Sequence, residues 1–256
     1  MRAALVVGHP GHELRMHGWL CAARPCVFVL TDGSGRAGVP RVPSTTAVLQ
    51  GAGARPGAIY GRLTDAQAYA AMIDGRSDLF TGLADELAEA LRSEEIDYVA
   101  GDAPEGFNPT HDVCRLLINA AVELVRRRTG RRLRNYDFLL DGPPGECPEG
   151  LRPRALALRL DDRALARKME AARAYRELAG EVEAALRGRS EEDFRAECLR
   201  PVDYGVTLDG LFDAPPYYET YGEKQVAAGR YDRVIRYREH FVPVAGALRR
   251  HVGRQG

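Results

Sequence analysis

Three of the six histidines fall where apolar sequence gives way to a turn or a helix. His9 and His12 flank Pro10-Gly11, directly after the apolar run Ala3–Val7. Two imidazoles three residues apart around a tight turn can converge on one metal ion. His111 opens a later helix after another short apolar run, so it can reach the same edge of a sheet. Three neutral imidazoles leave a fourth position open, the pattern of a catalytic site for Zn2+ or another divalent metal. Spacing alone leaves a second reading, in which these are ordinary turn and core histidines. His17, His240 and His251 have no partner pattern and read as packing or surface residues.

Asn108, Glu13 and Asp32 are the candidate catalytic residues, and Asp112 and Tyr217 the candidate substrate-binding residues. Asn108 can donate to an oxyanion or simply cap the helix that begins at Pro109. Glu13 either orients a metal ligand from behind or is a first-turn acid suited to the helix dipole. Asp32 follows a buried strand, at the end where open α/β sheets place their sites. Asp112 also reads as a dipole-complementing acid. Tyr217, with Tyr218 and Tyr221, offers aromatic faces to a sugar, with core packing or an oligomer interface as the other reading.

The elements that must hold these residues follow from apolar patterning. Arg2–Gly8 and Cys26–Leu30 are continuous apolar runs, as strands buried on both faces would be, with a helix over His12–Ala23 between them. Strand, turn, helix, strand predicts a parallel βαβ unit. Ser34–Gly61 is rich in Gly and Pro and reads as a long irregular segment. Helices are expected over Asp65–Ile73, over Asp78–Arg92 and from Pro109 onward, with a strand at Asp97–Ala100. Further strands are expected at Phe138–Leu140 and Ala155–Leu160, then one long helix from the Asp161 cap to Gly188. Beyond Ser190 the pattern is mixed and tyrosine-rich, with Tyr204, Tyr217, Tyr218, Tyr221, Tyr231 and Tyr237. The fold class is α/β, a three-layer sandwich around a mostly parallel, Rossmann-like sheet. Residues 1–188 form the metal-site domain, and 189–256 a C-terminal helical extension packed on it.

Composition narrows the partners. Thirty-six Lys+Arg balance thirty-six Asp+Glu over 256 residues, which gives no global field for nucleic acid or an anionic membrane. No apolar stretch approaches the ~20 residues of a spanning helix. Five scattered cysteines without a CxxC spacing argue against a disulfide framework and for a reducing cytoplasm. A small polar molecule is the expected partner, with homo-oligomer formation left open.

The sequence resembles the zinc-dependent sugar de-N-acetylases that act on N-acetylglucosaminyl lipids and thiol precursors, the PIG-L or LmbE-like family. That family has a first strand ending in Ala-His-Pro-Asp-Asp-Glu, a second ending in Thr-Asp-Gly, and a later His-Pro-Asp-His opening a helix. The matching segments are Gly8-His-Pro-Gly-His-Glu13, Thr31-Asp32-Gly33 and Asn108-Pro-Thr-His111, across about the first half of the chain. The resemblance implies metal ligands at His9, His12 and His111, with an imidazole at the position of the family's carboxylate ligand. It places the family's general base at Gly11, which has no side chain, its intermediate-stabilising histidine at Asn108, and an aspartate at Thr110. A tyrosine that some members carry upstream of the later motif falls at Gly106.

A three-histidine site leaves more positive charge on the metal than a site with a carboxylate ligand, which favours ionisation of bound water near pH ~7. The leading expectation is a metal-dependent hydrolase that de-N-acylates an amino sugar or related metabolite through a zinc-bound hydroxide. Loss of the base forfeits roughly 10²–10⁴-fold unless another group replaces it. Two rivals therefore stand beside it: a metal-dependent tailoring enzyme performing elimination or cyclisation, and a non-catalytic sugar-binding descendant.

Overall fold

The computed structural model describes residues 1–202 and 212–254. Among them, seven strands form the sheet: β1 (Ala3–Val7), β2 (Cys26–Thr31), β3 (Arg55–Leu63), β4 (Tyr98–Asp102), β5 (Arg134–Phe138), β6 (Leu156–Arg159) and β7 (Ala196–Pro201). Their spatial order is β3-β2-β1-β4-β5-β7-β6. The first five pair in parallel, while β7 runs antiparallel to both β5 and β6.

Nine α-helices among the described residues cover the two faces: α1 (His17–Ala23), α2 (Val42–Ala52), α3 (Asp65–Ile73), α4 (Ser77–Ser93), α5 (Pro109–Thr129), α6 (Asp162–Ala174), α7 (Ala179–Leu186), α8 (Tyr217–Ala227) and α9 (Val242–Gly253). Successive residues of a strand point to opposite faces, so the apolar run of β1 must be covered on both sides. Ala4 and Val6 pack with Leu83 and Leu87 of α4, Leu117 of α5 and Leu248 of α9. Leu5 and Val7 pack with Trp19 and Leu20 of α1 and Leu49 of α2. The result is the expected three-layer α/β sandwich, with C-terminal helices on one face.

Four local readings are corrected. Ser34–Gly61 is not irregular: it holds α2 and most of β3. The signal was weak because α2 buries only Thr45, Leu49 and Ala52. β3 is an edge strand with one buried residue, Ile59, where Pro56 and Gly57 are tolerated. Gly57 also lets β3 approach β2, since a Cβ there would lie 2.5 Å from the Phe28 ring. The long helix expected after Asp161 is two helices, broken at Tyr175 (ψ 84°) and a short 3-10 turn, Arg176–Leu178. His12–Met16 is likewise a 3-10 turn ahead of α1. The strand expected at Phe138–Leu140 ends at Phe138 instead.

The chain beyond Gly188 supplies a strand as well as helices, because β7 lies between β5 and β6. α9 then packs on the α4–α5 face through Val244, Leu248 and Val252. Tyr204 lies outside the described residues. No described helix is long and apolar enough to cross a membrane.

Candidate metal centre

In an open α/β sheet, the crevice at the carboxyl ends of the strands, where the strand order reverses, is the place for a ligand. Here the order reverses at β1, which has β2 on one side and β4 on the other. His9 and His12 follow the carboxyl end of β1, and His111 lies in the first turn of α5, just after β4. The sheet topology therefore collects three residues from two distant segments.

The three imidazoles converge. Ring centroids are 5.3 Å apart for His9–His12, 4.9 Å for His9–His111 and 4.5 Å for His12–His111. One ring nitrogen from each lies within 4.8 Å of the others. Burial, with His12 and His9 beside it, pushes the His111 pKa well below 6.5. His111 is thus held as a neutral imidazole, the form in which a histidine can ligate a metal.

Two carboxylates stand behind this triad. Asp102, the last residue of β4 and fully buried, faces His12 Nδ1 with both oxygens at 3.0 Å. It also accepts from the Gly8 backbone N–H at 2.7 Å, which fixes the end of β1. Asp65, at the start of α3, has Oδ1 3.3 Å from His9 Nε2. Burial raises the Asp65 pKa, but His9, the Thr31 hydroxyl and the Gly35 N–H outweigh it and hold the carboxyl well below the usual range. The Asp102 contact leaves His12 Nε2 for an ion, while Asp65 Oδ1 stands near His9 without a hydrogen bond. A carboxylate on the remote nitrogen fixes ring orientation and raises ligand basicity, so this donor set suits a divalent metal. Arg115, on the same helix as His111, is itself buried and donates to the Asp102 carbonyl (2.6 Å), Asn135 Oδ1 (2.9 Å) and the Tyr136 carbonyl (3.1 Å).

The remaining candidates take the following places. Glu13 is fully buried and accepts from Gly11 N–H at 2.8 Å and Thr45 Oγ1 at 2.7 Å. Its pKa is raised by burial, against those hydrogen bonds. Thr45 Oγ1 lies 2.9 Å from Tyr175 Oη, which reaches the Arg41 carbonyl at 3.1 Å. A buried polar chain thereby ties the His12 turn to the α6–α7 junction. Asp32 accepts from Ser34 N–H at 2.9 Å, closing a turn after β2. Asn108 caps α5 by accepting from Thr110 N–H at 2.8 Å, and Tyr69 Oη donates to the same oxygen at 3.4 Å. Asp112 is fully buried beside His111 and accepts from Gly106 N–H at 3.3 Å. Burial pushes its carboxyl up to about 8, and its Oδ2 has no hydrogen-bond partner among the described residues. Tyr217 is exposed and stacks on Phe107.

Gly11 has φ +104°, a backbone conformation few side chains accept. A Cβ built there would lie 2.2 Å from Leu178 Cδ1. Leu178 belongs to the 3-10 turn between α6 and α7, so an apolar side chain from that junction stands beside the metal turn.

Sequence reasoning missed Asp65, Asp102 and Leu178. Asp102 carried one usable signal, an acid just past the apolar core of a strand that feeds a histidine-bearing helix.

No protein-family model matches the chain, and no curated protein sequence matches it. Solved structures do. The A40926 pseudoaglycone deacetylase Dbv21 superposes with a TM-score of 0.56 at 18% identity, covering 78% of this chain and 96% of that one. The conserved protein TT1542 from Thermus thermophilus gives 0.55 at 22% identity, with 80% and 96% covered. The zinc-inhibited form of teicoplanin deacetylase Orf2 gives 0.53 at 12% identity, with 78% and 97% covered. At these identities the likeness is one of architecture: the chain has the α/β fold of these proteins.

Proposed function

We propose that the protein is a metal-dependent hydrolase that removes an N-acyl group from an amino sugar or a related small polar metabolite. The observation that carries this reading is the convergence of His9, His12 and His111, with Asp65 and Asp102 behind two of them, at the strand-order reversal. The architecture shared with Dbv21 and Orf2, both described as deacetylases, agrees with it.

His9, His12 and His111 would hold the ion. A divalent metal so held supplies Lewis acidity toward an acyl carbonyl and lowers the pKa of water. The chain's own residues orient and exclude. Asp102 locks the His12 ring, Asp65 places a carboxylate beside His9, and Glu13 holds the turn that carries Gly11. The N-terminus of α5, closed by the Asn108 cap, brings the positive end of its helix dipole to the edge of the site, where negative charge is favoured.

Leu178 favours a second reading in one respect. It stands beside Gly11, where the family resemblance puts the general base, and a leucine rather than a carboxylate fills that place. A metal-dependent elimination or cyclisation needs no water-activating base at that position, and any proton it releases would have to go to another group.

Two measurements test the proposal. Purified protein should bind about one equivalent of zinc, and His9→Ala and His111→Ala should not. The zinc form should release acetate from at least one member of a panel of N-acetyl amino sugars. Tight zinc with no release from any of them overturns the hydrolase reading in favour of altered chemistry or of binding without reaction.

A further inference from the structure

Two of the five cysteines meet in the fold. Cys198 is on β7 and buried, and Cys147 is half-buried in the loop that follows β5. The loop lies directly on the strand. Cys198 N–H donates to the Pro144 carbonyl at 3.0 Å, and a Cβ on Gly145 would fall 2.4 Å from Ala196 Cβ. The two thiols complete this contact and are hydrogen-bonded to each other, while the Cys147 thiol also reaches the Pro148 carbonyl at 3.7 Å.

Both halves of this contact brace the turn that carries His12. From the loop side, the carbonyls of Leu139, Asp141 and Gly142 accept from the Arg15 guanidinium at 3.2, 3.4 and 2.5 Å. From the strand side, Glu197 accepts from Gly18 N–H and Trp19 N–H at 2.9 and 2.8 Å. It also holds Lys168, which donates to the Arg15 carbonyl at 2.8 Å. Side chains alternate along a strand, so Glu197 and Cys198 leave β7 on opposite faces, one toward α1 and the other toward the loop. A bond between the two sulfurs would join the two supports of Arg15 covalently.

We propose that Cys147 and Cys198 form a reversible disulfide with each other, which clamps the loop after β5 onto β7 and stiffens the His12–Met16 turn held between them. The oxidant is a small disulfide such as oxidised glutathione. The Cys147 thiolate, nearer the surface, attacks one of its sulfurs and releases one thiolate. The Cys198 thiolate then attacks Cys147 Sγ and displaces the second. Two protein thiols are oxidised, one small disulfide is reduced to two thiols, and the two protein protons pass to the thiols released. Burial and the Cys147 contact push the Cys198 thiol up to about 12, so Cys147 attacks first and Cys198 resolves. In a reducing compartment such a bond forms only when the thiol pool becomes oxidised, which makes it a sensor rather than a permanent staple. The inference stands apart from the hydrolase reading.

Purified protein equilibrated in glutathione buffers of rising oxidised fraction tests it, read by thiol counting in denaturant and by non-reducing peptide mass spectrometry. Two of the five free thiols are expected to disappear into one Cys147–Cys198 cross-link, reversed by dithiothreitol. The melting temperature should rise by at least about 4 °C on oxidation. Amide hydrogen exchange over residues 12–19 should slow at least about threefold. Cys147→Ser and Cys198→Ala should each keep the reduced protein's fold by circular dichroism and lose every one of these changes, whereas Cys21→Ser should retain them. Should Cys198→Ala fail to fold, Cys147→Ser, at a half-buried loop position, carries the test alone. A lasting glutathione adduct on Cys147, a disulfide-linked dimer, five unchanged thiols, or a cross-link that lowers the melting temperature overturns the proposal. So does a cross-link with unaltered exchange over residues 12–19, which would separate the thiol pair from the turn.

Discussion

Leu178 stands where a side chain on Gly11 would stand: its Cδ1 lies 2.2 Å from the position a Cβ would take. The missing side chain of the His9–His12 turn and the leucine of the α6–α7 junction are complementary in volume. Restoring an acid at this position is therefore a packing problem before it is a chemical one. Gly11→Asp must accept φ +104° and displace Leu178. We expect it to lose about 2–4 kcal/mol, the sum of backbone strain and overpacking. Gly11→Asp/Leu178→Ala should recover part of that loss, so the double-mutant cycle will be non-additive by at least ~0.5 kcal/mol. Urea denaturation of the four proteins checks this, and additive effects would show that the two positions do not touch.

Asp102 connects three things: the end of β4, the Gly8 N–H at the end of β1, and His12 Nδ1. Replacing it with Asn keeps the volume but removes the charge facing the imidazole. Outer-shell partners of this kind are worth roughly 10–100-fold in metal affinity. Asp102→Asn should weaken zinc binding within that range, measured by competition with a chelator. Asp65→Asn should act the same way through His9, and unchanged affinity in both would remove the carboxylates from the metal site.

The sequence makes the triad legible because each histidine sits at an apolar-to-turn boundary, which a βαβ reading places at one sheet edge. The acids behind it are hidden by their contexts. Asp65 follows the Thr64 cap and looks like any first-turn helix acid. Asp102 extends a strand that apolar patterning ends at Ala100. Leu178 is one of three leucines in what reads as a single amphipathic helix, until the chain breaks at Tyr175. The three ligand positions carry no acid, and the nearest negative charge, Asp102 and Asp65, lies one layer out. In the fold, elements buried on both faces announce themselves, whereas the edge strand β3 and the polar-faced α2 do not.

Glu105 provides a pH-dependent signature separate from the histidines. Burial raises its pKa above 4.5, against hydrogen bonds from Leu140 N–H at 2.8 Å and Asp141 N–H at 3.4 Å. A carboxyl whose pKa is higher folded than unfolded contributes stability below its unfolded value and loses it as pH rises through the folded value. Glu105→Gln stays neutral and can still accept from Leu140. Relative to wild type, the variant should gain in thermal stability as pH rises from 4.5 toward 7, and the two melting temperatures should draw together below pH 4.5. A wild-type minus variant difference that grows toward high pH would reverse the sign and refute the assignment.

Lys168 and Glu197 form a buried ion pair at 2.8 Å that reaches the turn carrying His12. Glu197, on β7, also accepts from Gly18 N–H at 2.9 Å and Trp19 N–H at 2.8 Å, satisfying the first turn of α1 from outside the helix. Lys168 donates in addition to the Arg15 carbonyl at 2.8 Å, within the 3-10 turn that carries His12. Removing one partner of such a pair leaves a buried charge, at a cost of about 3–5 kcal/mol. The two backbone donors keep Glu197 partly satisfied, so Lys168→Met should fall near the lower end of that range in urea denaturation. Zinc affinity should change less than in Asp102→Asn, because Lys168 holds the backbone of the turn and touches no imidazole. A Lys168→Met protein of wild-type stability would mean that Glu197 is held by the α1 amides alone.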